Sequence, residues 1–186
     1  MAIKARAADS ILIVVDEQPS FMQAIWEAER VLRRTDFLLR IAALVGVPVL
    51  ATEQYPRRMG GTNPLLMPFL LEAPFGKMSF SCCGCEAFMA RLEETGRRQA
   101  ILVGIETHIC VSQTAADLLN SGFEVVVCPD AVSARTVEMH KLGMERMRDS
   151  GALPMHSESV AYEWMGTAEH PAFREALKVV KELAGS

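Results

Sequence analysis

The sequence predicts a three-layer α/β/α sandwich on a mostly parallel, Rossmann-like sheet. Three observations carry that expectation. Short β-branched runs alternate with longer stretches of helical spacing along the chain. The runs are apolar throughout rather than alternating, the pattern of parallel strands covered on both faces. The helical stretches stop repeatedly at glycine (Gly46, Gly96, Gly122, Gly151), the residue best suited to a left-handed helix end. At 186 residues the chain suits one domain, residues 1–186, which would bury roughly 70% of its unfolded surface.

Taken in order, "ILIVVD" (11–16) is the first strand and ends in Asp16. "EAERVLRRTDFLLRIAALVG" (27–46) places Val31, Leu32, Phe37, Leu38, Ile41 and Leu44 near one helical face. "VPVLAT" (47–52) is the second strand, and "APFGKMSFS" (73–81) reads as a loop flanked by Pro and Gly. "CEAFMARLEETG" (85–96) is a helix, and "AILVGI" (100–105) a third strand. "VSQTAADLLNSG" (111–122), "FEVVVCPD" (123–130) and "TVEMHKLGMERMRDSG" (136–151) continue as helix, strand and helix. "ALPMHS" (152–157) is a weaker strand, and "EHPAFREALKVVKELAG" (169–185) an amphipathic helix with Pro171 near its first turn.

Composition narrows the function. Net charge is -4, so there is no basic field for nucleic acid or an anionic membrane. The apolar runs fall far short of the ~20 residues a membrane span needs, and no secretory signal opens the chain. A cytoplasmic protein is expected. The five cysteines, an odd count without an export signal, are expected to be free thiols.

Ligands of open α/β sheets bind beyond the carboxyl ends of the strands. There the polar residues collect: Asp16; Thr52 to Tyr55; Glu106, Thr107 and His108, with Cys110 one turn on; and Asp130. A cysteine at a helix start faces unpaired N–H groups, which can lower its pKa from about 8.5 into the ~3.5–7.5 range. The same N–H groups can hold an oxyanion. On position alone Cys110 is equally a small buried hydrophobe, Asp16 a cap or turn residue, and Lys77 a solvated loop lysine.

The three segments together decide. "VVDEQ", "FGKMSFS" and "GIETHICV" resemble the isochorismatase-like family of cysteine hydrolases, which includes nicotinamidases and N-carbamoylsarcosine amidohydrolase. The resemblance runs from Ile11 to about Val160 and includes "ATEQYP" and "DAVSART". It implies the isochorismatase-like hydrolase fold, with Cys110 as nucleophile, Asp16 as its base and Lys77 bridging the two. It also implies a non-proline cis peptide at Ile105–Glu106, turning the Glu106 N–H toward the oxyanion that the Cys110 N–H faces. A small amide or carbamoyl substrate would then be cleaved at its C–N bond through a thioester. Gln18, Phe21, Tyr55, Phe80 and His108 are candidate pocket residues. Homo-oligomers are common in the family, and one is expected here.

Two departures refine this. Isochorismatases proper lack the cysteine, so Cys110 points to amide-type chemistry. Nicotinamidases carry Asp-x-His and a further His after the second strand, where this chain reads "TEQYPRRMGGTNP" with no histidine. No metal and no cofactor are therefore expected. "CCGC" (82–85) has Cys-x-x-Cys spacing but no second ligand pair follows, so it reads as a helix opening with Ser81 as cap. The competing functions are a thiol redox protein and a non-catalytic binding module on the same fold.

Overall fold

A computed structural model describes residues 4–184. Six parallel strands lie in the order β3-β2-β1-β4-β5-β6. They are β1 (Ser10–Val15), β2 (Val49–Gln54), β3 (Phe75–Lys77), β4 (Gln99–Ile105), β5 (Glu124–Ser133) and β6 (Leu153–Pro154). The helices are α1 (Pro19–Met22), α2 (Ala28–Val45), α3 (Pro56–Met59), α4 (Glu86–Glu94), α5 (Ser112–Asn120), α6 (Val137–Asp149), α7 (Ser157–Met165) and α8 (Phe173–Ala184).

Successive side chains of a strand point to opposite faces, and here both faces are core. Leu12, Val14, Ile101 and Val103 pack with α2, α7 and α8. Ile11, Ile13, Val15 and Leu102 pack with Phe88 of α4, Leu118 of α5 and Met147 of α6. Every residue of β1 and β4 is buried. That is why these two strands carry uninterrupted apolar runs, and why their first polar neighbours fall just beyond their carboxyl ends.

The strand order reverses between β1 and β4, so the crevice between their carboxyl ends is the topological switch point. Gly104, at φ +109°, permits the close approach there, since a Cβ would run into the Val15 carbonyl oxygen. Beyond β4 the chain makes a π-helical turn over Thr107–Val111, with the Glu106 carbonyl accepting from Ile109 N (3.0 Å) and Val111 N (3.3 Å). α6 crosses this turn at Gly143, where a Cβ would lie 2.9 Å from His108 Cα.

Several boundaries differ from the sequence expectation. Phe75–Lys77 is a strand rather than a loop, pairing with Thr52–Gln54 in register Gln54↔Lys77. The residues at 47–48 precede β2, which runs on to Gln54, and β5 continues past Pro129 to Ser133. α5 begins at Ser112 because the preceding five residues form the π turn. α8 begins at Phe173, after turns in which the Ala172 N–H donates to His170 Nδ1 at 3.1 Å. α7 was not anticipated. Asp130 organises its start by accepting from Ser157 N at 2.9 Å and from Ser157 Oγ, while His156 Nδ1 caps the Glu158 N–H at 3.2 Å.

Glu17, next to Asp16, is fully buried. One carboxyl oxygen accepts from Thr35 Oγ1 of α2 at 2.5 Å, and Oε2 has no hydrogen-bond partner. Burial pushes its pKa from 4.5 up to about 8, against the Thr35 hydrogen bond. Below pH 4.5 folded and unfolded chains both hold this proton. Between 4.5 and about 8 only the folded chain keeps it, so this contribution to stability falls as pH rises through that window. Glu17→Gln keeps the acceptor for Thr35 and removes the ionisation. Its melting temperature should match the parent near pH 4 and exceed it near pH 9, by stability on the order of a few kcal/mol. Parallel pH–stability curves for the two proteins would contradict this reading.

Candidate active site

Three elements bring the expected groups together. Asp16 directly follows β1, and its left-handed backbone (φ +52°) turns the chain at the sheet edge, a conformation aspartate tolerates. β3 lifts Lys77 beside it, and the π turn after β4 presents Cys110. Lys77 Nζ donates to Asp16 Oδ2 at 2.7 Å, with the two side chains 0% and 3% exposed. Thr52 Oγ1, from β2, donates to Asp16 Oδ1 at 2.8 Å. Cys110 lies beside the same carboxylate, both residues lining one cavity. Asp16 thus takes one ammonium and one hydroxyl, with Cys110 beside it.

Lys77 is held on every side. Besides Asp16 it donates to Gln54 Oε1 (2.7 Å), Phe80 O (2.9 Å) and Ser79 O (3.2 Å). Four acceptors surround three N–H bonds, so the ammonium is fixed in place and fully engaged.

Burial raises the Asp16 carboxyl above its ordinary value, opposed by the Lys77 charge and by hydrogen bonds from Lys77, Thr52 and Cys110. Burial, followed by the neighbouring Asp16 carboxylate, pushes the Cys110 thiol from 9.0 up to about 12. This corrects the expectation of a thiol lowered by a helix N-terminus. Cys110 lies inside the π turn, ahead of α5, is 8% exposed and faces an anion. Burial and the neighbouring carboxylate both favour the thiol over the thiolate.

A cavity of about 90 Å³ opens on Cys110, Asp16 and Glu106. Its walls are Phe21, Phe80, Ile105 and Ile109, with Gln54 at one side. The Ile105–Glu106 peptide bond is cis. The Glu106 carboxylate pairs with Arg135 Nε at 3.0 Å.

The other candidate pocket residues lie elsewhere. Gln18 is fully buried as a clamp: its Oε1 accepts from Gln54 N (2.7 Å), and its Nε2 donates to Gln54 O (3.1 Å) and Gly60 O (2.6 Å). Tyr55 starts α3 in a left-handed conformation and is 39% exposed. His108 backs onto Gly143 of α6, with Nδ1 buried and unpartnered. None of the three lines the cavity. Gln54 and Ile109 do, and sequence reasoning assigned neither a role. Both were within reach of the strand-end rule, since Gln54 closes β2 and Ile109 precedes the cysteine.

In "CCGC", Ser81 Oγ accepts from Cys83 N at 3.2 Å and caps a short 3-10 turn, Cys82–Gly84, rather than opening α4 directly. Cys82 is buried with Sγ 3.5 Å from Thr52 Oγ1. All five cysteines are free. Among the described residues, no group of three or more His, Cys, Asp or Glu side chains could hold a metal ion, and no helix is long and apolar enough to cross a membrane.

Known proteins share this architecture. A family model described as the isochorismatase domain matches residues 10–159. Isochorismatase domain-containing protein 1 of Salmo salar is 34% identical over 177 residues, 95% of this chain and 62% of the relative. The chain thus spans about three fifths of that relative's length. Among solved structures, the MAR1 ribonuclease of Caenorhabditis elegans superposes with TM-score 0.90 at 33% identity, covering 96% of this chain and 93% of that one. The Escherichia coli YcaC gene product, described as an octameric hydrolase of unknown specificity, reaches TM-score 0.88 at 22% identity over 98% and 90% of the two chains, a likeness of fold alone. By sequence and by fold, the chain belongs to the isochorismatase family of hydrolase-like domains.

Proposed function

We propose that the chain is a cysteine hydrolase cleaving the C–N bond of a small amide or carbamoyl compound. The observation that carries this reading is the shared carboxylate: Asp16 holds the Lys77 ammonium on one oxygen and lies within reach of the Cys110 thiol.

In this reaction the Cys110 proton moves to Asp16 as the sulfur bonds to the carbonyl carbon. A thiol held near 12 makes the transfer concerted with attack, because free thiolate is scarce at neutral pH. Lys77 steadies the Asp16 charge before transfer and the sulfur's charge during it. The carbonyl oxygen becomes an oxyanion facing the Glu106 and Cys110 N–H groups. The nitrogen then takes the proton from Asp16 and leaves as ammonia or amine. Water, deprotonated by Asp16, attacks the thioester, releasing the acid and restoring the thiol. Glu106 lies on the same cavity lining as Cys110, which supports its role. A homo-oligomer belongs to the same proposal, supported by the apolar side chains Met78 and Phe80, 66% and 55% exposed.

The name of the Caenorhabditis elegans neighbour raises RNA cleavage as a second reading. A cavity of about 90 Å³ lined by two acidic residues favours a small molecule over a polyanion.

Activity against an amide panel, with an RNA substrate alongside, tests the proposal. Cys110→Ala should abolish amide turnover while leaving the melting temperature nearly unchanged, and Asp16→Asn should cost about 10²–10⁴-fold. Unchanged amide turnover in Cys110→Ala, or RNA cleavage that depends on Cys110, would overturn it. Lys77→Met strands a buried carboxylate, so stability should fall by about 3–5 kcal/mol. Adding Asp16→Asn should restore much of that stability without restoring activity. The rate should also fall in acid as Asp16 takes up its proton, with a midpoint above the ordinary 3.8.

A further inference from the structure

The charges at the site are arranged asymmetrically. Two carboxylate residues, Asp16 and Glu106, line the cavity beside Cys110. Their cationic partners do not. Lys77 stands behind Asp16, and Arg135, half exposed, holds Glu106 from outside. Lys77 has no spare N–H, because Asp16, Gln54, Ser79 and Phe80 already surround it. Apart from Gln54, the rest of the wall is apolar: Phe21, Phe80, Ile105 and Ile109.

An anionic group entering this space would lose its water and meet no unpaired cation. Burying a charge without a partner is costly, whereas burying a short alkyl group in the same place is favourable. The cavity, about 90 Å³, is also well below the roughly 300–1,000 Å³ of sites for drug-sized ligands.

We infer that the site selects short, uncharged aliphatic acyl groups and excludes carboxylated and aromatic ones, with the Glu106 side chain as the element that rejects anions. The inference rests on the hydrolase reading for its reaction, but the filter is a property of the cavity and is measurable without turnover. It names simple primary amides and carbamates with a few carbon atoms as the substrate class. It sets aside amides bearing a carboxylate next to the scissile carbonyl.

Competitive alkylation tests the filter, read by peptide mass spectrometry. Iodoacetamide and iodoacetate are nearly the same size and differ in charge. Cys85 supplies an internal reference, since it lies outside the cavity lining. The rate ratio of iodoacetamide to iodoacetate should be at least about tenfold larger at Cys110 than at Cys85. In Glu106→Gln the excess should shrink several-fold. N-phenyl iodoacetamide should modify Cys110 at least about tenfold more slowly, relative to Cys85, than iodoacetamide does. Equal ratios at the two cysteines, an excess unmoved by Glu106→Gln, ready entry of the phenyl reagent, or no modification of Cys110 by iodoacetamide would each overturn the filter. In turnover, propionamide should be hydrolysed in preference to oxamate and benzamide. Hydrolysis of oxamate or benzamide through Cys110 would sink the filter and leave the hydrolase reading standing. Selective alkylation with no amide hydrolysis would do the reverse.

Discussion

The buried ion pair between Lys77 and Asp16 is the constraint on which the site depends. Two opposite charges taken out of water are tolerated only in close, fully hydrogen-bonded contact. The fold supplies that contact from three directions: β1 brings the carboxylate, β3 the ammonium, and β2 the hydroxyl of Thr52 and the amide of Gln54. Once the pair is in place, little of Asp16 is left open except toward Cys110. In the proposed reaction the ion pair fixes the base, and the base fixes where a nucleophile is useful.

That arrangement changes how the thiol is understood. A helix N-terminus stabilises an anion, but a neighbouring carboxylate and burial oppose it, and here the latter two prevail, holding the thiol near 12. In the proposed reaction the group is activated by delivery of its proton to Asp16 at the moment of attack. A free thiolate in the resting protein is not required. Such a thiol is also protected from casual oxidation, because peroxides react with thiolates. This sits better with a hydrolase than with a redox protein.

Much of this was legible in the chain. The apolar runs at 11–15 and 100–105 are buried on both faces, so their hydrophobicity marks them as central strands and their ends as the crevice. Pattern alone therefore put Asp16 and Cys110 at the crevice, while their roles came from the resemblance. Lys77 was harder. Three residues, "FGK", are too few to show a period, and the strand exists only through its non-local pairing with β2. The segment after Pro154 was misread because α7 takes its start from Asp130, 27 residues away. Gln18 shows the opposite failure. It was a candidate pocket residue, but its amide is spent on the backbone of Gln54 and Gly60. Partners distant in sequence decide such cases, and periodicity is silent about them. The same holds for Gly104 and Gly143, whose missing side chains let β1 and α6 approach the nucleophile turn.

The most direct measurement is rapid chemical quench of the protein with a short aliphatic amide, followed by peptide mass spectrometry and by hydroxylamine trapping. Hydrolysis through the thiol predicts a transient acyl group on the peptide carrying Cys110, converted by hydroxylamine to the hydroxamate and absent from Cys110→Ala. Product formed with no acyl group on that cysteine, or with the acyl group on another residue, would contradict it.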